Sequence, residues 1–247
     1  MSVKSILVSQ PKPETEKSPY FDLAEKYKLR IDFRPFIQVD AVNAREFREQ
    51  KVELAKSTAV IFTSKTGVDH FFRIAEETRF KVSDAMKYFC LSEAIAFYLQ
   101  KYVIYRKRKI FYGKSTIVEL ADILKKHKTE NFLLPCSDIL RQDIPNALNA
   151  ANLNFTKVVL YKTVAADLSD LSDVKYDLLV FFSPSGIESL LKNFPKFKQN
   201  STRIAAFGPT TANAVLKNNL RLDIHAPMPQ APSMTMAIEQ FIKNNKK

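Results

Sequence analysis

The chain has 247 residues, which is long for one domain and comfortable for two of ordinary size. Hydrophobic residues make up 46% of it and aromatic residues 11%, enough for packed cores, and this excludes an intrinsically disordered chain. Its 38 Lys and Arg residues against 26 Asp and Glu residues give a net charge of +12, which favours an anionic partner.

Short apolar segments alternate with helical patterns along the chain. In chain order we predict strand 6–9, helix 20–28, strand 31–39, helix 44–54, strand 59–63, a helix from Gly67, strand 88–91, helix 93–101, strand 103–105, helix 115–127, strand 132–135, helix 139–151, strand 155–161, strand 178–182, a helix from Gly186, strand 204–207, helix 210–218, strand 222–225 and a helix from Ser233. Strands that alternate with such helices are typical of parallel sheets built from right-handed βαβ units. The sequence therefore predicts an α/β protein.

Two segments 119 positions apart share one pattern. Residues 59–72 read AVIFTSKTGVDHFF, and residues 178–191 read LLVFFSPSGIESLL. Each has an apolar run, a Ser-x-[Ser/Thr]-Gly turn, a β-branched residue, an acid and two bulky apolar residues, which predicts a buried strand, a tight turn and a helix N-terminus. Weaker matches indicate a duplicated α/β unit with a pseudo-twofold internal repeat. They relate 6–9 to 132–135, 35–38 to 159–162 and 88–96 to 204–212.

The repeat also predicts where the chain crosses between domains. A less patterned stretch follows the strand that ends near Val39, and no helix is predicted between Tyr161 and the distant strand at 178–182. Two crossings make one domain discontinuous, from 1–38 and 163–247, with 39–162 as an inserted domain and linkers near 36–40 and 161–165. A cleft between two such domains is a natural ligand site.

Several residues at predicted strand ends suit anion binding. Gly67, Gly186 and Gly208 stand at strand-to-helix turns, where glycine permits positive φ or the close approach of a ligand. Such turns offer free backbone N–H groups, and open α/β sheets bind ligands at the carboxyl ends of their strands. After Gly208, the fixed φ of Pro209 suits the first turn of a helix. Thr210 and Thr211 place hydroxyl groups beside the free N–H groups of that turn.

A second candidate segment is Cys136-Ser137-Asp138-Ile139-Leu140-Arg141. Ser137 and Asp138 are predicted to cap the next helix, and Arg141 to reach a carboxylate from its first turn. The alternative for Arg141 is a solvated helix arginine. Tyr161 is the notable titratable residue, at a strand end and the start of a crossing, and its alternative is a structural tyrosine.

Several kinds of site are not indicated. There is no G-x-G-x-x-G motif and no P-loop, so nucleotide cofactors are not expected. His70, His127 and His225 lack metal-ligand spacing and are interpreted as surface or helix residues. Cys90 and Cys136 form no disulfide framework and are interpreted as buried, inert thiols in a reducing cytoplasm.

The densest basic run, Arg106-Lys107-Arg108-Lys109, is interpreted as a solvated strand end or loop. No apolar run approaches the roughly 20 residues that span a bilayer, and the N-terminus lacks the apolar segment of a signal peptide. We therefore expect a cytoplasmic protein with no membrane partner.

Six short segments occur in one order along nearly the whole chain: IFTS at 61–64, LPCS at 134–137, YKTVA at 161–165, FSPSG at 182–186, GPTTA at 208–212 and PMPQA at 227–231. In this order they resemble the uroporphyrinogen-III synthase family of tetrapyrrole biosynthesis. The resemblance implies two similar flavodoxin-like parallel-sheet domains, joined by a two-stranded linker, with the site between them.

The resemblance also implies a reaction. A lyase of this family needs no cofactor and no metal, and acts on hydroxymethylbilane, a linear tetrapyrrole with acetate and propionate side chains. The hydroxyl group on the first ring leaves as water, the last ring attacks through its substituted carbon, and a spiro intermediate rearranges to uroporphyrinogen III with that ring inverted. This polycarboxylate substrate accounts for a basic protein. We expect a monomer that makes at most a transient contact with the preceding pathway enzyme.

By similarity, Tyr161 is the residue that protonates the departing hydroxyl group. The residues expected to bind substrate are Thr63, Ser64, Lys65, Ser92, Ser137, Arg141, Ser183, Ser185, Gly186, Pro209, Thr210 and Thr211. One departure concerns Ser92-Glu93-Ala94-Ile95, where many relatives have Gly-x-x-Thr. Ile95 supplies no hydroxyl group, and Glu93 would repel substrate carboxylates unless it points away.

Two other functions remain open from the sequence. A non-enzymatic two-domain protein that binds a polyanionic small molecule would share the twofold α/β layout. A nucleic-acid-binding protein would share the net charge, although basic stripes interleaved with aromatic residues are not evident. We expect no nucleic-acid partner.

Overall fold

The computed structural model describes residues 3–15, 17–171 and 174–245. Its strands are Ser5–Val8 (β1), Arg30–Phe33 (β2), Ile37–Ala41 (β3), Ala59–Phe62 (β4), Lys87–Cys90 (β5), Ile110–Tyr112 (β6), Phe132–Ser137 (β7), Phe155–Ala165 (β8), Leu178–Phe181 (β9), Arg203–Phe207 (β10) and Ile224–Ala226 (β11). Its α-helices are Pro19–Tyr27 (α1), Ala44–Glu49 (α2), Lys65–Glu77 (α3), Glu93–Leu99 (α4), Ile117–Lys125 (α5), Asp143–Ala150 (α6), Pro184–Asn193 (α7), Pro209–Lys217 (α8) and Met234–Asn244 (α9). Within these ranges, no helix combines the length and the apolar character that crossing a membrane requires.

The chain forms two compact units. The first unit comprises 1–38 and 164–247, and the second unit comprises 39–163. The first contains a five-stranded sheet in the order β11-β10-β9-β1-β2, and its adjacent strands are parallel. The second contains a six-stranded sheet in the order β3-β8-β7-β4-β5-β6, parallel from β8 to β6. The predicted α/β class with parallel sheets is confirmed.

The central strands of both sheets are buried on two faces, which explains why they read as continuous apolar runs. In β1, Ile6 and Val8 pack into a cluster with residues of α9, whereas Leu7 packs with residues of α7 on the other face. In β4, Phe62 packs with residues of α3, whereas Ile61 packs with residues of α5 and α6.

The repeated pattern folds as strand, serine cap and helix in each unit. Ser64 Oγ accepts a hydrogen bond from the Gly67 N–H (2.9 Å), and Ser183 Oγ accepts one from the Gly186 N–H (3.3 Å). The helices therefore begin directly after the serines, two residues before the predicted starts at the glycines. A Cβ at position 186 would lie 3.2 Å from Phe181 Cδ1, so any larger residue there would crowd the Phe181 ring.

Some predicted elements are wrong in extent or place. The predicted strand 31–39 is two strands, β2 and β3, separated by residues 34–36, where Pro35 has no N–H to donate. The predicted helix 44–54 ends at Glu49. The predicted strand 103–105 does not form, since Ile104 is 80% exposed and the edge strand begins instead at buried Ile110.

Candidate functional site

Each unit has one point where the order of its strands reverses. In the first unit, the chain moves from β1 to β2 on one side of β1 and from β9 to β11 on the other. In the second unit, it moves from β4 to β6 on one side of β4 and from β7 to β8 on the other. At such points the connecting loops diverge, and open α/β sheets bind ligands in the crevice outside the carboxyl ends of the strands. We call the residues at the carboxyl ends of the first unit's strands the first-unit rim, and those at the carboxyl ends of the second unit's strands the second-unit rim.

The second-unit rim brings two predicted site residues into contact. Ser64 follows β4, Tyr161 lies in β8, and their hydroxyl oxygens are 3.1 Å apart, with either able to donate. Ser64 Oγ also accepts the N–H of Gly67, and a hydroxyl oxygen that accepts still has its own proton to donate. Ser64 is therefore able to donate to Tyr161 while the phenolic proton of Tyr161 points elsewhere.

Burial controls the chemistry of Tyr161. Its side chain lies in the core of the second unit, and the residue is 9% exposed. This burial raises the pKa of the phenol, and the hydrogen bond from Ser64 partly offsets the rise because it stabilises the phenolate. Tyr161 is therefore protonated at neutral pH and has a neighbour that stabilises the anion left after it gives up its proton.

Two residues next to Tyr161 were not selected from the sequence. The ring of His70, on α3, stacks on the ring of Tyr161 with centroids 5.1 Å apart and planes at 21°. Arg73, one turn further along α3, donates from Nε to His70 Nδ1 (3.2 Å). The interpretation of His70 as a helix residue is confirmed. Its ring is not free at the surface, because it packs against Tyr161. Only the pairing order of β4, β7 and β8 reveals its position.

The segment after β7 differs from the prediction. Ser137 lies opposite Tyr161 in the β7–β8 register, but its hydroxyl group donates to the Ile139 carbonyl (2.9 Å) within its own loop. Helix α6 begins at Asp143, after an N-cap residue that makes no side-chain cap bond. The prediction that Ser137 and Asp138 cap this helix is therefore wrong, because Asp138 accepts the N–H of Thr163 at the end of β8 instead (2.9 Å).

The other predicted residues of the second unit make no recorded side-chain contact with Ser64 or Tyr161. The prediction that Arg141 acts from the first turn of the next helix is wrong, because Arg141 lies before α6. It pairs with Asp143, and its side chain is 79% exposed. The ammonium group of Lys65 lies 5.3 Å from the centre of the Tyr98 ring. Thr63 is half-buried between β4 and Ser64.

Ser92 precedes the short helix α4 and makes no side-chain cap bond. Glu93 accepts a hydrogen bond from the Tyr112 hydroxyl group (3.1 Å), which occupies one of its oxygens. Ile95 is 7% exposed and packs into the core of the second unit. Position 95, where the resemblance led us to expect threonine, is therefore a core position in this chain.

The first-unit rim includes a serine that the sequence did not indicate. Ser9 follows β1, and Ser183 follows the neighbouring strand β9. Their hydroxyl oxygens both lie 3.7 Å from the point where a Cβ on Gly186 would stand. Ser9 carries no motif, and only the reversal of strand order assigns it to the rim. Ser185 is half-buried in the first turn of α7.

The third glycine turn leads into α8. Gly208 has φ +83°, and its N–H donates to the Ala226 carbonyl (2.6 Å). Nothing lies within 4 Å of the position of a Cβ there, so the backbone is open to a ligand. Pro209 and Thr210 are exposed beside it, whereas Thr211 is 1% exposed and its side chain faces the interior.

Gly208→Ala is expected to destabilise the protein by about 1–3 kcal/mol, because its φ and ψ are accessible to glycine and strained for other residues. The open space at this position means that no clash contributes. Denaturant unfolding of both proteins measures the change. An unchanged midpoint would show that the turn relaxes without strain.

The two cysteines are buried and unreactive. Burial raises the pKa of Cys136 to about 11 and that of Cys90 to about 12, so neither is a thiolate at neutral pH. Both cysteines are buried, as predicted. In the part of the chain that the structure describes, no cluster of three His, Cys, Asp or Glu side chains could hold a metal ion.

Comparison with known proteins identifies relatives of the whole chain. The family model "HEM4: Uroporphyrinogen-III synthase HemD" matches residues 19–236. The uroporphyrinogen-III synthase of Chlorobaculum parvum is 23% identical over 260 residues, covering 98% of this chain and 100% of that protein. The uroporphyrinogen-III synthase of Saccharomyces cerevisiae is 27% identical over 139 residues, and that match spans only 51% of this chain and 50% of the yeast protein.

Two solved structures share the fold. The uroporphyrinogen-III synthetase of Helicobacter pylori superposes with a TM-score of 0.61 at 18% identity, covering 98% of this chain and 100% of that chain. A mutant uroporphyrinogen III synthase of Thermus thermophilus superposes with a TM-score of 0.53 at 14% identity over the same shares. At these identities the likeness concerns the fold alone.

Proposed function

Because this chain belongs to the uroporphyrinogen-III synthase family, we propose that it is a lyase that cyclises hydroxymethylbilane to uroporphyrinogen III. The observation that carries the proposal is the hydrogen bond between Ser64 and Tyr161 at the strand-order reversal of the second unit. The pair supplies a proton donor and a group that stabilises the conjugate base. The reaction requires a proton donor of this kind when the hydroxyl group of the substrate leaves as water.

Tyr161 is proposed as the general acid. Its phenolic proton passes to the hydroxyl oxygen on the first ring, the carbon–oxygen bond breaks, and water leaves. The electron pair of the bond leaves with the water, and the organic fragment becomes an azafulvene cation. The phenolate that remains accepts the Ser64 hydroxyl proton in a hydrogen bond, which favours proton transfer.

The ring closure needs orientation more than further acid–base chemistry. The last ring must attack through its substituted carbon to form the spiro intermediate, whereas direct closure gives the type I isomer. Holding the acetate and propionate groups fixes which carbon is presented. We propose that the two rims do this through backbone N–H groups, hydroxyl groups and cations, with the net charge of +12 attracting the substrate.

The proposed binding residues are assigned from these roles. In the second unit they are Thr63, Ser64, Lys65, Ser92, Ser137 and Arg141, and in the first unit Ser183, Ser185, Gly186, Pro209, Thr210 and Thr211. Ser9 joins them because it stands beside Gly186 at the end of β1. Thr211 is the weakest member of this set, since a buried hydroxyl group does not meet a ligand without movement of α8.

Isomer analysis of the product tests the proposed function. Hydroxymethylbilane is generated in situ and incubated with and without the protein, and the products are oxidised and separated as uroporphyrins I and III. We expect type III only in the presence of the protein. Type I alone, from protein with an intact unfolding transition, would contradict the proposal.

A further inference from the structure

Tyr161 belongs to a network of side chains centred on Arg73. The imidazole of His70 stacks on the phenol ring with centroids 5.1 Å apart, and Arg73 Nε holds this imidazole by donating to Nδ1 (3.2 Å). None of these contacts takes part in the proton transfer described above. They involve the phenol ring and the neighbouring imidazole instead.

Arg73 also binds the backbone beside Tyr161. Its Nη2 group donates to the carbonyl of Val42 (2.7 Å) and to that of Leu160 (3.3 Å), the residue that precedes Tyr161 in β8. Its Nη1 group pairs with Glu77. The planar guanidinium thus connects α3 to the strand that carries the phenol through donors in fixed directions.

The donor from Arg73 decides the form of His70. Because arginine only donates hydrogen bonds, Nδ1 of His70 must be unprotonated, which places the imidazole proton on Nε2. Burial, and then the charge of Arg73, lower the pKa of His70, while Asp69 and Glu77 on the same helix act in the opposite direction. Tyr161 is the group that faces it from β8, and it is protonated at neutral pH. The neutral imidazole is therefore the form that fits this network.

We propose that Arg73 and His70 are positioning residues for Tyr161, Arg73 fixing the imidazole and the Leu160 backbone, and the imidazole fixing the plane of the phenol. The proposal rests on the proposed function in so far as Tyr161 is the proton donor. Neither residue touches the reacting atoms. Their effect falls on kcat, since a misplaced donor weakens the transition state more than it weakens ground-state binding.

Substitutions at His70 distinguish the effect of the stacked ring from the effect of its nitrogen atoms. His70→Ala removes the ring, and we expect kcat to fall by about 10- to 100-fold with KM within about twofold. His70→Phe restores a ring on Tyr161, and we expect it to recover kcat to within about threefold of the wild type. Equal kcat for wild type and His70→Ala would overturn the proposal, as would a rise in KM alone.

The pH profile gives a readout that a purely structural role would not change. Protonation of Nδ1 places a proton and a positive charge against the Arg73 guanidinium, which repels the imidazole from its place on the phenol, so kcat of the wild type should fall as pH drops through the lowered pKa of His70. Phenylalanine carries no charge for Arg73 to repel. His70→Phe should lack this acid limb. An identical limb in both proteins would count against the proposal.

His127→Phe is the matched control. His127 lies in the same unit against the rings of Phe89 and Phe111, and burial lowers its pKa as well. The same chemical change there should leave kcat and the acid limb as in the wild type. A loss of kcat equal to that of His70→Ala would mean that the effect is general destabilisation, and would overturn the proposal.

A measurement independent of activity tests the network by itself. With ¹³Cζ-labelled tyrosine, the signal of Tyr161 among nine tyrosines is assigned by its loss in Tyr161→Phe. Arg73→Lys keeps the charge but has no Nε–H and no fork, and we expect the Tyr161 signal to shift or broaden. An unchanged signal would overturn the network even if type III product forms. A wild type that makes no type III product while the signal does shift would contradict the proposed function and leave the network supported.

Discussion

Tyr161→Phe is expected to lower kcat by about 10²–10⁴-fold, the range for loss of a main general acid. The substitution removes the phenolic oxygen and keeps the ring that packs against His70, so the fold should be unaffected. The rate of type III formation measures the loss. Because the acid acts in its protonated form and burial raises its pKa, the alkaline decline of the wild-type rate should begin only above the usual pH range of tyrosine.

Tyr88→Phe provides the control for this experiment. Tyr88 is also buried in the second unit, and burial raises its pKa to about 12, but it lies in β5 away from the strand-order reversal. Its substitution should leave kcat unchanged. A loss below about threefold in Tyr161→Phe would instead leave Tyr161 with a positioning role only.

Ser64→Ala is expected to have two separable effects. Loss of the cap on α3 should cost about 0.5–2 kcal/mol of the free energy of unfolding. Loss of the hydrogen bond to the developing phenolate should lower kcat by about 10- to 100-fold, since hydrogen bonds to charged groups contribute about 1.5–3 kcal/mol. Denaturant unfolding measures the first effect, and the rate of type III formation the second.

Ser233→Ala separates these effects. Ser233 caps α9 through the N–H of Met236 (3.2 Å), the same kind of contact as that between Ser64 and Gly67. Its substitution should destabilise the protein to a similar extent and leave kcat unchanged. Equal kcat values for Ser64→Ala and Ser233→Ala would show that the Ser64–Tyr161 hydrogen bond does not assist the reaction.

The sequence predicted the features that depend on neighbouring residues. Apolar runs buried on both faces, serine caps and helical periodicity are local patterns, and they indicated the α/β class and the duplicated strand–turn–helix of 59–72 and 178–191. Even the two misplaced helix starts have a local reason, because Ser64 and Ser183 are the caps and the glycines lie inside the first turn.

Errors arose where burial, rather than local pattern, decided the element. In the segment 103–105, which is as apolar as an edge strand, Ile104 and Tyr105 lie exposed, and β6 forms instead at Ile110, which packs into the core. Likewise, the sequence allowed Ser137 and Asp138 to cap a helix, whereas Asp138 binds the Thr163 N–H on a strand that pairs with β7.

The sequence indicated some residues of the site but not the contacts between them. By itself the sequence determined the candidate proton donor, Tyr161, and the hydroxyl-rich turn that contains Ser64, through motifs that resemble a known family. Only the tertiary structure decided that these two residues, 97 positions apart, share a hydrogen bond, and that the ring of His70, bound by Arg73, stacks on the phenol. The reason is physical: contacts at a reversal of strand order depend on which strands pair, and pairing is set by packing of the whole sheet rather than by neighbouring residues.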